Sequence, residues 1–331
     1  MTGILQAKIM EDKNTTSVAE FILLSFENIH QFKMLLFIAC LIIYITCIIG
    51  NLVIFLLIHF DSSLHALMYF FISRFAILEI VFVSVIVPKL LDILIAGKNR
   101  IGFVACFLQL YCADTTGIVE SYFLTVMVFD RHFAITNPLQ YVSIMTPWCI
   151  RLAVFPWIVG SVAAFLPTIF TATLKFCGPN LIEYFFCDLT PLQNLACSDP
   201  YVSILVTNIV AMFVVLPSFM TIIGFYIHII LTILKIKSTD GKQKAFSTCS
   251  SHLIVSSLYF CTGIAVYIKP SGKQHDIFLG FIYRIVTPLL NPFIYTFRNR
   301  EVKCAFYKVF KNLWIKNNVQ IGLKSQDTGE S

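Results

Sequence analysis

The chain has 331 residues, of which 58% are apolar and 15% are aromatic, and its formal net charge is +6. Only 13% of its residues are charged, whereas a soluble protein carries about 25%. Such a composition excludes a disordered chain. A soluble enzyme with this apolar content would have to expose large apolar patches to water. The 11 cysteines are too sparse for a small disulfide-stapled secreted domain. The composition therefore predicts a membrane protein.

Seven apolar stretches are long enough to cross a bilayer, which takes about 20 helical residues. They cover residues 34–58, 68–94, 101–133, 148–170, 201–234, 245–268 and 277–297. The sequence predicts an all-α membrane protein, a seven-transmembrane helix bundle. An odd number of spans places the two termini on opposite sides of the membrane.

Lysine and arginine in the connecting segments predict the orientation, because they concentrate on the cytoplasmic side. With the N-terminus outside, 13 of the 24 basic residues fall in cytoplasmic segments and eight in outer ones. The single Asn-x-Ser/Thr sequon, at Asn14, would then be open to glycosylation. The first 20 residues lack the apolar core of a signal peptide, so we expect the first span to direct insertion. We expect a multi-pass plasma-membrane protein with a cytoplasmic C-terminus.

These assignments divide the chain into three parts: an extracellular segment over 1–33, a seven-span domain over 34–297 and a cytoplasmic tail over 298–331. Within the tail, residues 301–314 alternate apolar and basic side chains at helical spacing. Such spacing predicts a short amphipathic helix after the seventh span, lying on the inner leaflet of the lipid bilayer.

Four cysteines fall on the predicted outer side, where disulfides can form. They are Cys106, Cys177, Cys187 and Cys197. Four cysteines allow three pairings, and spacing alone does not choose among them. The other seven lie in spans or on the cytoplasmic side, where a reduced thiol is the default.

Three polar side chains are predicted near the middle of the bilayer: Glu79, Glu120 and Asn291, each about 15–21 Å from one end of its span. Ionisable groups inside a span are costly and indicate a functional site by default. This cluster could bind a sodium ion or share a proton. The alternative is a structural hydrogen-bonded cluster with at least one neutral carboxyl; we expect no other metal.

Asp114 and Arg284 are both predicted about 10–12 Å below the outer surface. Because an unpaired buried charge is expensive, we expect a mutual ion pair. Alternatively, Arg284 awaits an anionic ligand such as a carboxylic acid. Asp114, Gly117, Ile118 and Ser121 share one helix face by their i, i+3, i+4, i+7 spacing. That face suits either a cavity lining or ordinary helix packing through small residues.

The sequence lacks the signatures of several other classes. Transporters are often built from two repeated halves, and this sequence contains no internal repeat. There is no Gly-rich phosphate loop and no Cys or His cluster with zinc spacing. We therefore expect no enzymatic activity, no cofactor and no nucleic-acid partner, and we favour neither a transporter nor a channel.

Several motifs occur in a fixed order along the spans. They are Gly50-Asn51; Leu64-His65 with Met68-Tyr69-Phe70-Phe71; Val87-Pro88-Lys89-Leu90-Leu91; Asp130-Arg131 with Asn137-Pro138-Leu139; KAFSTCSSHL at 244–253; and Thr287-Pro288-Leu289-Leu290-Asn291-Pro292 with Tyr295. Over residues 20–310 this order resembles the vertebrate odorant receptors of class II type, which are rhodopsin-like G-protein-coupled receptors. The resemblance implies a receptor for small volatile odorants that activates a stimulatory heterotrimeric G protein and raises cAMP. A receptor of the same architecture for a metabolite is the alternative.

The resemblance also implies roles for individual residues. It implies disulfides Cys106–Cys187 and Cys177–Cys197, and an inner switch of Asp130, Arg131, Tyr226 and Tyr295 that meets the G protein. Asn51 would join the intramembrane polar cluster. The ligand cavity would be lined by Asp114, Gly117, Ile118, Ser121, Val210, Val214, Phe260, Gly263, Ile264, Tyr267 and Arg284.

Some residues depart from the pattern that the resemblance implies. A proline is usual at the positions of Ala66 and Leu67. The usual Tyr, Tyr and Cys are replaced by Phe129, His132 and Thr136. Phe260 replaces a tyrosine, and Arg284 replaces a small residue. The central Asp130-Arg131 pair is retained, so we expect signalling to be retained.

Overall fold

The computed structural model describes residues 18–24, 32–64, 66–268, 273–299, 301–308 and 311. Within these residues, seven long helices pack side by side, and the predicted seven-helix bundle is confirmed. They are α1 (Lys33–Phe60), α2 (Leu67–Ala96), α3 (Phe103–Thr136), α4 (Cys149–Ala172), α5 (Tyr201–Lys235), α6 (Thr239–Ile268) and α7, which runs through Lys273–Phe281, Ile282–Val286 and Thr287–Arg298.

Apolar side chains cover much of the outside of the bundle. Ile42 on α1 is 59% exposed, Ile158 on α4 is 59% exposed and Phe213 on α5 is 74% exposed. Exposed apolar surface of this extent is matched by lipid rather than water. Six described helices are long and apolar enough to span a membrane, so the chain is a multi-pass membrane protein.

The remaining long helix, α3, is more polar than these six and lies at the centre of the bundle. Asp114, Glu120, Asp130 and Arg131 lower its hydropathy, and it is not among those six. It packs against α2, α4, α5 and α6, which shield it from lipid. Because its polar groups face other helices, α3 carries charges that a lipid-facing helix would not tolerate.

Glycine permits two close helix contacts. A Cβ on Gly50 of α1 would lie 3.1 Å from the ring carbons of Pro292 on α7. A Cβ on Gly160 of α4 would lie 2.6 Å from Val119 Cγ2 and 2.9 Å from the Thr115 carbonyl oxygen on α3. Small residues at such crossings let membrane helices approach closely.

Replacing Gly160 with alanine is therefore expected to destabilise the bundle by about 1–3 kcal/mol, the usual range for overpacking. Gly224→Ala on α5 is the matched control, since a Cβ there meets nothing within 4 Å. It should be neutral or raise stability by up to about 1 kcal/mol through helix propensity. Thermal unfolding in lipid nanodiscs measures both. Equal melting temperatures for the two variants would contradict the close α3–α4 contact.

A small sheet covers one end of the bundle and was not predicted. Strand β1 (Glu20–Leu23) pairs antiparallel with β2 (Arg100–Gly102) and parallel with β3 (Leu181–Ile182). Phe21 of β1 is fully buried, with its ring centroid 5.2 Å from that of Phe176 and 5.8 Å from that of Phe103. The strand is anchored by this aromatic cluster, which joins the N-terminal segment to α3 and to the α4–α5 loop.

Two short π-helical stretches interrupt the long helices. Ala211–Val215 lies in α5 and Ile282–Val286 lies in α7, and a proline follows each by two residues, Pro217 and Pro288. A proline ring clashes with the carbonyl four residues earlier, which lies inside the π-helical stretch in both helices. Widening the helix there accommodates the ring.

The start of the predicted tail helix is described: residues 301–308 are helical, and most of 309–314 lies outside the described residues. Lys308 Nζ lies 3.5 Å from Asp61 Oδ2 after α1, and the Tyr69 hydroxyl donates to Glu301 Oε2 at 2.6 Å. Hydrogen bonds from Ser63, and then the charge of Lys308, lower the pKa of the Asp61 carboxyl. The tail is thus held against the connection between α1 and α2.

Candidate functional site

A cavity of about 560 Å³ lies among α3, α4, α5, α6, α7 and a short helix, Leu189–Leu195, in the α4–α5 loop. Its volume is within the range of small-molecule sites. Eight residues of the predicted set line it: Asp114, Gly117, Ile118, Val210, Phe260, Gly263, Ile264 and Arg284. Tyr267 lies on α6, but its side chain is outside the described part of the structure.

Two residues of the predicted set lie outside this cavity. Ser121 is fully buried, and its hydroxyl donates to the Ile118 carbonyl at 2.8 Å. Val214 packs against the cluster of Ile118, Ala163 and Ala164 between α3 and α4. Ser121 thus serves helix packing, the alternative that the sequence left open for this face of α3, whereas Val214 on α5 packs against α3 and α4.

Polar residues that sequence reasoning missed line the cavity from the loop and from α5. They are Asp188, Thr190, Gln193, Asn194, Thr207 and Asn208. Asp188 caps the short loop helix by accepting from the Leu189 amide at 2.9 Å. Gln193 Nε2 donates to Ser203 Oγ at 2.9 Å and to Thr207 Oγ1 at 3.0 Å. The loop helix is thereby tied to α5 over the cavity.

The disulfides explain why the loop lies there. The structure contains both pairs that the resemblance implies, Cys106–Cys187 and Cys177–Cys197, with Cα–Cα distances of 5.5 and 5.8 Å. The Cys187 amide also donates to Gln109 Oε1 on α3 at 3.1 Å. Asp188 directly follows Cys187 in the sequence. The Cys106–Cys187 disulfide is therefore the sequence feature that could have predicted the loop residues at the cavity.

Asp114 and Arg284 meet across the cavity between α3 and α7. Arg284 Nη2 lies 3.8 Å from Asp114 Oδ1, and both side chains are largely buried. The guanidinium carbon also lies 5.1–5.7 Å from the ring centroids of Phe82, Phe186 and Tyr283. Asp114 Oδ2 has no hydrogen-bond partner within the described residues. The geometry favours the internal ion pair, with one carboxylate oxygen left to accept a further bond.

Both π-helical stretches contribute to the cavity wall. Ala211 and Val215 come from the stretch in α5, and Tyr283 and Arg284 come from the stretch in α7. A π-bulge rotates the side chains that follow it, and such bulges are frequent at functional sites. The hydropathy pattern carried no signal for them, because one inserted residue leaves an apolar stretch unchanged.

The predicted intramembrane polar cluster forms around Glu79. Asn291 Nδ2 donates to Glu79 Oε1, and the Glu120 carboxyl group is a close neighbour of the Glu79 carboxyl group. Asn51 instead donates to the Cys47 carbonyl at 3.1 Å. All four predicted residues are at most 2% exposed. Two neighbouring buried carboxyl groups favour a shared proton or a bound cation, so both alternatives, proton and sodium, remain predictions.

At the opposite end of α3 from the disulfide, Asp130 and Arg131 form an ion pair. Arg131 Nε lies 3.0 Å from Asp130 Oδ2, and the Tyr141 hydroxyl donates to Asp130 Oδ1 at 2.5 Å. Arg131 is 7% exposed and Asp130 is fully buried. The guanidinium is therefore held by its neighbour rather than presented to a partner, and we call this the resting arrangement.

The two switch tyrosines lie on either side of His252. The Tyr226 hydroxyl is 3.1 Å from His252 Nδ1, and the ring centroid of His252 is 6.4 Å from that of Tyr295. Tyr295 also stacks edge-on with Phe75 at 6.3 Å. The structure thus adds His252, a residue of the motif at 244–253, to the predicted set.

Comparisons with known proteins place these features in context. A family model described as olfactory receptor matches residues 39–313. Human olfactory receptor 6N1 is 38% identical over 310 residues, which cover 92% of this chain and 99% of that protein. Rat olfactory receptor 1f45 is 41% identical over 91% of this chain and 97% of its own length, and gorilla olfactory receptor 1G1 is 41% identical over 93% and 98%.

Proposed function

Because the chain belongs to the olfactory receptor family, G-protein-coupled receptors that detect odorants and are not enzymes, we propose that the cavity between α3 and α7 is its odorant site. The observation that carries this proposal is the lining. It combines apolar side chains from α5 and α6 with one buried ion pair, Asp114–Arg284. Mostly apolar cavities with a few placed polar groups suit small ligands. Membership of this family does not favour the alternatives, which were a receptor of the same architecture for a metabolite and a transporter or channel.

We infer the ligand class from the same lining. A small, mainly apolar molecule would pack against Ile118, Val210 and Phe260, while one hydrogen-bond donor reaches the unpartnered, buried Asp114 Oδ2 at the cavity wall. A donor such as an alcohol or an amine is favoured over a carboxylic acid, since Arg284 already has an anionic partner. A ligand that binds the active arrangement better shifts the population toward it.

The partner at the other end would be a stimulatory heterotrimeric G protein. Support comes from Asp130–Arg131, which lies at the end of α3 opposite to Cys106, at the same end of the bundle as the α5–α6 connection with Lys237. The outer end would be the one with the two disulfides, which form in oxidising compartments. The N-terminus, with its sequon at Asn14 outside the described residues, would then be extracellular and the tail cytoplasmic.

The experiment is an odorant screen with cAMP as the readout, followed by filling of the cavity. Gly263→Val adds a side chain inside the cavity, where a Cβ meets only the Tyr283 ring at 3.6 Å. We expect a potency loss of about tenfold or more, equivalent to about 1.4 kcal/mol. Gly224→Val, in open space on α5, is the control and should respond normally. An unchanged dose–response curve for surface-expressed Gly263→Val would refute the assigned cavity.

A further inference from the structure

Two histidines from different helices meet beside the switch residues. His132 Nε2 on α3 lies 2.8 Å from His228 Nδ1 on α5, and the ring centroids are 4.8 Å apart. His132 directly follows Arg131, and His228 lies two residues after Tyr226. The pair therefore links α3 to α5 at the end of the bundle that carries the Asp130–Arg131 ion pair.

The surroundings leave one open side. The rings of Phe133 and Phe225 pack against the His132 ring, with centroid distances of 5.4 and 4.9 Å. His228 is exposed and His132 is half-buried. Since the resemblance makes tyrosine usual at position 132, the histidine pair is a feature of this chain rather than of the motif.

We propose that His132 and His228 form a two-imidazole site for a divalent transition metal ion, with Zn²⁺ as the reference ion. Neutral imidazole nitrogens are common Zn²⁺ ligands, with Zn–N distances of about 2.0–2.1 Å. Tetrahedral geometry would place the two nitrogens about 3.4 Å apart. The distance of 2.8 Å between His132 Nε2 and His228 Nδ1 must therefore increase slightly, and rotation of the exposed His228 side chain allows this increase.

The remaining coordination positions would be taken by water. Among the described residues no group of three or more His, Cys, Asp or Glu side chains is placed to hold a metal ion. Closed structural zinc sites use four protein ligands. A two-histidine site is open and exchangeable, which is the character of a regulatory rather than a structural metal.

The expected consequence follows from the conformation in which the site is formed. In the same structure Arg131 is paired with Asp130, and Tyr226 with His252. A metal bound to both imidazoles would tether α3 to α5 in this arrangement. A ligand that prefers one arrangement shifts the population toward it by its differential affinity. Zinc on this side of the membrane would therefore favour the resting receptor.

The binding test uses the purified full chain in nanodiscs with thermal unfolding as the readout. Zinc at 100 times its Kd should raise the folded-to-unfolded ratio about 100-fold, whereas Mg²⁺, which prefers oxygen ligands, should leave it unchanged. His132→Tyr and His228→Phe should each abolish the zinc shift. His59→Phe is the matched control, since His59 is an exposed histidine on α1 whose ring packs beside those of Phe55 and Phe60. It should keep the shift.

The signalling test measures nucleotide exchange on a G protein in the same nanodiscs. If zinc binds the resting arrangement tenfold better than the active one, agonist-driven exchange falls by up to about tenfold, and His132→Tyr removes that fall. The proposal is overturned if the unaltered chain shows no zinc shift, or if both histidine variants keep it. The proposal is also overturned if thermal unfolding depends on pH through the histidine pair but not on zinc, because the pair then binds only a proton.

Discussion

Arg131→Ala is expected to abolish ligand-driven cAMP accumulation while the protein still reaches the cell surface. The guanidinium is the one cation in the described part of α3, and it is held by Asp130 at the end of the helix opposite to the cavity. Once released, it would supply the charge that a partner's inserted helix needs at its C-terminal carbonyls. Measurement combines surface labelling, cAMP and nucleotide exchange on the purified G protein.

Two further variants sharpen this prediction. Asp130→Asn removes the ion-pair partner of Arg131, so basal cAMP should rise above that of the unaltered receptor. Arg151→Ala is the control, because Arg151 is exposed and lies over the Trp148 ring at 5.2 Å, away from the ion pair. It should signal normally. A full cAMP response from Arg131→Ala would eliminate the proposed switch.

The helices could be predicted because each span is a long local signal, whereas the sheet could not. Predicted stretches such as 34–58 and 68–94 lie inside α1 and α2, since bilayer thickness dictates their length. Strand β1 is four residues long and exists because it pairs with residues about 80 and 160 positions away. No pattern within Glu20–Leu23 contains that information.

The cavity could be predicted only in part for a related reason. Depth along a helix follows from residue counting, and it correctly brought Asp114 and Arg284 to one level. Rotation about the helix axis does not follow from it when a π-helical stretch intervenes, as in α5 and α7. Val214, within such a stretch, packs against Ile118, Ala163 and Ala164 without lining the cavity, whereas Val215 in the same stretch lines it. The positions of loop residues such as Asp188 depend on the Cys106–Cys187 disulfide, and cysteine spacing alone did not determine that pairing.

A double-mutant cycle on Asp114 and Arg284 should reveal strong coupling. Asp114→Asn or Arg284→Gln alone leaves one buried charge without its partner, at a cost of about 3–5 kcal/mol. The double variant removes both charges and should recover part of that loss, so the two effects are not additive. Thermal unfolding in nanodiscs gives the coupling energy. The exposed pair Glu20–Arg100, at 3.6 Å, is the control and should couple by at most about 1 kcal/mol.

Odorant responses of the same variants separate the two roles of Arg284. If the internal pair governs the site, both single variants change the response to all ligands together, and the double variant restores part of it. If Arg284 instead holds an anionic ligand, Arg284→Gln removes responses to carboxylic acids alone, and its effect on stability adds to that of Asp114→Asn. The 3.8 Å contact and the aromatic rings around the guanidinium predict the first outcome, because moving Arg284 onto a ligand would leave Asp114 as an unpaired charge between α3 and α7.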